Sequence, residues 1–215
     1  MPTQIIKCKI CDGDTTLLLD EQLKIEYHVC SNCHFIYKST AFHIETEEDE
    51  YLRHNNSIED TGYVNIFLNQ IDNFIKDLNI ERLVLDFGSG PNPVYKVLLE
   101  QHGYQVHDFD PFYNNDLSFK NHQYQLITSN EVPEHFTKPI VEFDLLVSLL
   151  EKGGYLLLGT HFRTMNESDF LSWWYRRDVT HISFYSLKTF DYLCQKYGLE
   201  IIKHDGKKTI LLQKK

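Results

Sequence analysis

Leu83-Val84-Leu85-Asp86-Phe87-Gly88-Ser89-Gly90 is the stretch that decides the fold of this 215-residue chain. A short apolar run that stops at a glycine turn reads as a strand buried on both faces. The sequence predicts a helix next, from about Val94 to His102, with Pro93 at its first position and Asn92 as its cap. Gly103 ends that helix, and Tyr104–Phe109 reads as the next strand. Strand, helix, strand is the unit of a parallel sheet. The alternation continues outward, with a strand at Gln125–Asn130 and a helix over Ile140–Leu150 stopped by Gly153-Gly154. A strand at Tyr155–Thr160 follows, and then a helix from Ser186 as cap through Tyr197. Upstream, Val64, Phe67, Leu68, Ile71, Phe74, Ile75 and Leu78 repeat at helical spacing and predict a helix over residues 61–79. Glu200–His204 and Thr209–Gln213 flank Asp205-Gly206-Lys207-Lys208, a hairpin that leaves the sheet with one reversed strand. The expected fold class is α/β, a mostly parallel sheet closed by a C-terminal antiparallel hairpin.

Ligands of such sheets bind at the carboxyl ends of the strands, so Asp86 and the Gly88–Gly90 turn are candidate binding residues. The hydride-transfer fingerprint G-x-G-x-x-G needs glycine at position 93, where Pro93 stands. Asp110 ends the next strand, 24 residues after Asp86, where an acid accepts hydrogen bonds from ribose hydroxyls.

Four of the five cysteines form two pairs, Cys8-Lys9-Ile10-Cys11 and Cys30-Ser31-Asn32-Cys33. Two residues between cysteines turn both sulfurs to one point, and two such knuckles complete a tetrahedral shell for structural zinc. Redox-active or vestigial thiols are the other reading. Asp12 and His34 follow the pairs where zinc knuckles often have glycine. His34 could replace a cysteine as ligand, but four cysteines make that unnecessary. Residues 1–42 are expected to form this module, with strands at Thr15–Leu19, Lys24–Val29 and Phe35–Tyr37. Residues 43–215 form the main domain. The acidic run Glu45–Glu50 reads as a solvated linker or helix start.

The net charge of -10 disfavours partners held by bulk electrostatics, nucleic acid above all. No apolar run is long enough to cross a membrane and no signal peptide is visible, so the expected location is the cytoplasm.

Residues 83–160 resemble a class I S-adenosylmethionine-dependent methyltransferase. The segments that carry the likeness are Leu85–Gly90, Phe109-Asp110-Pro111, Asn130-Glu131-Val132-Pro133-Glu134-His135-Phe136 and Leu149–Tyr155. The four-cysteine module is similar to one found N-terminally in a subset of that family, including deoxysugar C-methyltransferases. The resemblance implies a Rossmann-like sheet of the seven-strand type. It implies that Asp86, Gly88 and Gly90 face the methionine end of the cofactor. It likewise implies that Asp110 binds the ribose and that Asn130 and Glu131 border the sulfonium. Pro91, Asn92, Pro133 and Lys152 depart from the family pattern. The short segment between Asp110 and Gln125 leaves little room for a third strand.

Two further segments suggest the acceptor side. Arg53–Tyr63 is polar and precedes the long helix, with Tyr63 as a candidate substrate contact; a capped loop is the plainer reading. Residues 161–185 are long for a connection, which marks a lid or binding loop. They hold Trp173-Trp174, Tyr175, Asp178, His181 and Tyr185. Trp174 and Tyr185 are candidate substrate contacts. Asp178 and His181 are a candidate acid–base pair, with His135 as a second candidate base; an aromatic mini-core is the alternative. The function expected is methyl transfer to a small-molecule acceptor, a metabolite, quinol or sugar-like compound. The rivals are a non-catalytic cofactor-sensing module that docks a protein through the zinc ribbon, and an RNA or protein methyltransferase.

Overall fold

The computed structural model describes residues 6–40, 57–81, 83–164 and 166–215. The acidic run, the Arg53–Asn56 part of the polar segment and the expected boundary at residue 42 lie outside these. In chain order the strands and helices begin with β1 (Thr15–Asp20), β2 (Ile25–Cys30), β3 (Ile36–Lys38), α1 (Thr61–Gln70) and β4 (Leu83–Phe87). They continue with α2 (Val94–Gln101), β5 (Gln105–Phe109), β6 (Tyr124–Asn130), α3 (Pro139–Leu149) and β7 (Leu150–Gly159). The last are α4 (Glu167–Ser172), β8 (Ser183–Phe184), α5 (Leu187–Tyr197), β9 (Leu199–His204) and β10 (Thr209–Lys214).

Among the described residues the main sheet has six strands in the order β5-β4-β6-β7-β10-β9. β4 pairs in parallel with β5 and β6, and β6 with β7. β10 runs antiparallel to both β7 and β9, so it alone is reversed, as expected. Alternate residues serve opposite faces: Val84, Leu126 and Leu157 meet α1 and α2, while Leu85, Ile127 and Leu156 meet α3 and α5. Burial on both faces is why these strands are apolar throughout.

The sheet ends at β5 where a seven-strand sheet would carry one more strand. The chain after β5 instead forms a 3-10 turn, Leu117–Asn121, capped by Asp116 and anchored by buried Phe119. Pro93 is the cap position of α2 rather than its first residue, and no side chain caps that end. α1 is capped by Asp60 and continues as a π-helical turn over Ile71–Ile75, short of residue 79. Gly153-Gly154 do not stop α3; it ends at Leu149 and the glycines lie inside β7. The β6–β7 register shifts there, and a Cβ on Gly154 would stand 2.9 Å from Glu151 O and 3.0 Å from Tyr124 O, so the strand needs glycine for close approach.

The cysteine-rich module is an antiparallel sheet of β1, β2 and β3, and β8 adds a fourth strand through Ile36–Phe184 and Tyr37–Ser183. β8 comes from the 161–185 segment. One module face packs Cys8, Ile10, Phe35 and Tyr37 into the same buried cluster as Phe143, Leu146 and Phe190. The other holds Tyr27, Val29 and Ile36 against Phe170, Tyr175 and Phe184.

Candidate active site

β4 delivers the chain to a turn with two left-handed glycines, Gly88 at φ +84° and Gly90 at φ +71°. A Cβ on Gly88 would stand 2.3 Å from Val132 Cγ2, so both backbone and space require glycine. Gly90 has no such neighbour, and its side opens onto a cavity of about 600 Å³. Asp110, at the end of β5, pins the turn. Its Oδ2 accepts from Gly90 N at 2.9 Å, and its Oδ1 accepts from Phe112 N at 2.9 Å and Tyr113 N at 3.2 Å.

Gly88, Gly90, Asp110, Asn130 and Glu131 line this cavity at the carboxyl ends of β4, β5 and β6. Asp86 does not; it lies beneath the turn, 3% exposed. Its Oδ1 accepts from Thr128 Oγ1 at 3.1 Å and its Oδ2 has no partner. Burial pushes this carboxyl up to about 7. Ser89 Oγ and both amide atoms of Asn130 are also buried without partners. Buried polar atoms are normally satisfied, so this group of orphans beside an open glycine backbone fits a polar ligand such as the nucleoside cofactor that the resemblance implies.

The opposite wall follows β6. Glu131 adopts φ +54°, a left-handed backbone that costs a side-chain-bearing residue on the order of 1–3 kcal/mol and clusters at functional sites. The chain then passes through Pro133–His135. Glu134 is fully buried; its Oε1 accepts from Tyr175 OH at 2.5 Å and its Oε2 has no partner. Burial, and then the charge of Glu131, push its carboxyl well above the usual range. His135 Nδ1 lies 3.1 Å from Thr180 O, and His181 Nδ1 lies 2.8 Å from Tyr175 O. A carbonyl only accepts, so each ring donates from Nδ1. The two rings are 5.1 Å apart. His181 Nε2 lies 3.8 Å from Asp178 Oδ2, and Asp178 Oδ1 takes Thr180 N and Oγ1. Burial lowers the His181 pKa despite Asp178.

His135, Asp178, His181, Tyr63 and Trp174 all line the cavity, and Trp174 is 61% exposed at it. Tyr185 does not, which corrects its expected role as a substrate contact. It is fully buried, stacks on Phe190 and donates from its hydroxyl to Pro133 O at 3.0 Å. Tyr175 stands at the cavity instead. Neither it nor Glu134 was singled out in the sequence; the adjacent pair Glu134-His135 just after a strand was the available signal. The 161–185 segment is a packed element here, with Phe170, Tyr175 and Arg176 buried.

Within the module, Cys8, Cys11, Cys30 and Cys33 bring their sulfurs within 4.8 Å of one another. Cys8–Cys33 is 3.6 Å and Cys11–Cys30 is 3.4 Å. Four sulfurs on a tetrahedral zinc stand roughly 3.8 Å apart, from a Zn–S bond of about 2.3 Å. Asp12 and His34, where knuckles favour glycine, take the left-handed backbone themselves, φ 55° and 58°. Both types enter that region more readily than most.

A family profile described as a methyltransferase domain matches residues 67–204. No curated protein matches the sequence. Among solved structures, magnesium protoporphyrin IX methyltransferase from Synechocystis PCC 6803, with bound SAH, is similar over 80% of this chain and 95% of its own. Its TM-score is 0.58 at 15% identity. An O-methyltransferase family protein from Burkholderia thailandensis is similar over 82% of this chain and 64% of its own, TM-score 0.52, 14% identity. Mitomycin 7-O-methyltransferase is similar over 62% of this chain, TM-score 0.50, 10% identity, and the chain spans 49% of its length. At these identities the likeness is one of fold.

Proposed function

The chain belongs to the methyltransferase-domain family, and on that premise we propose that it transfers the methyl group of S-adenosylmethionine to a small-molecule acceptor. One observation carries this reading. A single cavity has the open glycine turn and Asp110 on one wall and the His135–Asp178–His181 group, under Trp174, on the other. Gly88, Gly90, Asp110, Asn130 and Glu131 hold the cofactor in this reading, and buried Asp86 supports the glycine turn from beneath instead of facing the methionine end as expected. The cofactor supplies an electrophilic methyl group when bound. The protein holds the acceptor in line with it and removes the acceptor's proton at the imidazole–carboxylate group. Tyr63 and Trp174 flank the acceptor, and an aromatic wall suits a ring.

The reading includes one structural zinc on the four thiolates, within a module of residues 1–42 that serves as a wall of the 43–215 domain. Thiols arranged for metal rather than disulfides support a reducing compartment, the cytoplasm. Among the described residues no helix is long and apolar enough to cross a membrane.

The test is calorimetric titration with S-adenosylhomocysteine, followed by screening hydroxyl-, amine- and sugar-bearing acceptors for its release from S-adenosylmethionine. Micromolar binding and acceptor-dependent release are expected. Binding without release for any acceptor would favour a cofactor-sensing module, and no binding would end the reading.

A further inference from the structure

We propose that Glu134, His135 and His181 hold a divalent transition-metal cation in the wall of this cavity, with Glu131 at its rim, and that the acceptor binds that cation through oxygen. The three residues each offer one ligand atom, and these atoms lie within 4.8 Å of one another. Metal–ligand bonds of about 2.0–2.2 Å put two ligands of one ion roughly 3–4.3 Å apart. The observed spread of up to 4.8 Å is close to that of a single site.

Three details favour an ion over a plain polar cluster. Ligating histidines donate their other ring nitrogen to a carbonyl or carboxylate, which fixes the tautomer. Both rings do so here, His181 from Nδ1 to Tyr175 O and His135 from Nδ1 to Thr180 O. Tyr175 OH orients Glu134 in the same way, through Oε1. Glu134 Oε2 is left fully buried with no partner, the unmet acceptor that a cation satisfies.

The donor set is two imidazoles with one or two carboxylates. That chemistry suits manganese, iron, cobalt or zinc more than magnesium or calcium. It differs from the four-thiolate site, so the two can be loaded separately. The consequence for substrate rests on the methyl-transfer reading. An acceptor hydroxyl on the cation is acidified, with a neighbouring oxygen as a second donor. With the cation bound the two imidazoles are its ligands and not bases, so the O–H proton leaves to water at the cavity mouth instead of to His181. The oxygen forms its bond to the methyl carbon as the carbon–sulfur bond breaks, and that electron pair stays on sulfur in neutral S-adenosylhomocysteine. The structure thus points to hydroxyl-bearing, chelating acceptors rather than amines or carbanions.

The test loads the full chain with one equivalent of zinc, which the four thiolates take, and titrates it with manganese(II) chloride, reading free manganese by electron paramagnetic resonance. One manganese per chain is expected. His181→Asn and Glu134→Gln should each weaken it at least tenfold, with zinc content and S-adenosylhomocysteine affinity unchanged. His135→Ala is the third variant, should either of the others fail to fold. No manganese bound below about 1 mM, or equal binding by folded variants, overturns the proposal. S-Adenosylhomocysteine binding without manganese binding overturns the cation and spares methyl transfer. Manganese binding without S-adenosylhomocysteine binding supports the site and overturns its assignment to the acceptor.

Discussion

Arg176 Nη1 lies 3.0 Å from Asp20 Oδ2, and the two side chains are 1% and 2% exposed. Asp20 closes β1 of the cysteine module and Arg176 follows Tyr175 at the cavity, so one ion pair joins the two. Asp20 Oδ1 also accepts from Gln22 N and Leu23 N, both at 3.0 Å, and Arg176 donates from Nε to Leu171 O at 2.7 Å. Each charge is held by backbone as well as by its partner.

Breaking such a pair leaves one buried charge uncompensated, at a cost of about 3–5 kcal/mol. Asp20→Asn keeps the shape and the turn, so it should destabilise the chain by roughly that amount in urea unfolding. Adding Arg176→Met should recover part of the loss. An unchanged midpoint in the single variant would show that the pair holds nothing together.

Zinc should be present at one atom per chain, held by Cys8, Cys11, Cys30 and Cys33. Elemental analysis of protein purified without added metal measures it. Because β3 pairs with β8 and the module shares its core with the main sheet, losing zinc should reach the cavity. Cys30→Ser should therefore weaken S-adenosylhomocysteine binding as well as lower the melting temperature. A zinc content near zero that supplementation does not raise would sink this.

Much of this architecture was legible in the sequence. The run Leu83–Phe87, the glycine turn, Asp110 and the closing hairpin follow from local patterns, and the structure places them as those patterns require. The missing third strand was visible in the short span before Gln125. What escaped depends on tertiary contact. Nothing local marks Tyr185 as core and Tyr175 as cavity wall, since the choice follows from which ring packs on Phe190 and which reaches Glu134. Nor does the sequence show that Ser183–Phe184 extend the cysteine module, because a two-residue strand has no periodicity of its own.

Asp110→Ala should weaken S-adenosylhomocysteine binding by at least about 1.5–3 kcal/mol, the usual loss for a hydrogen bond to a charged group. The structure adds a reason for more, because the same carboxylate anchors Gly90 N, Phe112 N and Tyr113 N. Asp110→Asn, which can still accept, should cost less. Calorimetry on both variants checks the order, and equal wild-type affinity in both would move the ribose contact elsewhere.

Asp86 gives a pH dependence. Its folded pKa, about 7, lies above the ordinary carboxylate value, so the folded chain binds more protons than the unfolded one between about pH 4 and 7. Its contribution is fully present at low pH and is lost as pH rises through 7. The loss is up to about 1.4 kcal/mol per pH unit in that window. Asp86→Asn keeps the acceptor for Thr128 and removes the titration. Urea midpoints taken from pH 5 to 8 should fall less steeply in the variant, and parallel curves would refute the assignment.

His181 separates chemistry from binding. It lines the acceptor wall, and Nδ1 is tied to Tyr175 O, so the ring meets the acceptor through Nε2, directly as a base or through a bound cation. The cofactor wall is built from other elements, the glycine turn and Asp110. His181→Ala should therefore lower kcat by about 10²-fold or more, the lower range for a group that handles a proton. S-Adenosylhomocysteine affinity should stay at the wild-type value. Asp178→Asn should cost less, since Asp178 meets the imidazole only at 3.8 Å and spends Oδ1 on Thr180. Burial already lowers the His181 pKa, so the ring is neutral at pH 7 with or without that carboxylate. Full turnover in His181→Ala on the true acceptor would shift the role to His135, 5.1 Å away between ring centres. Full turnover in both would leave positioning alone, which an electrophilic methyl donor allows.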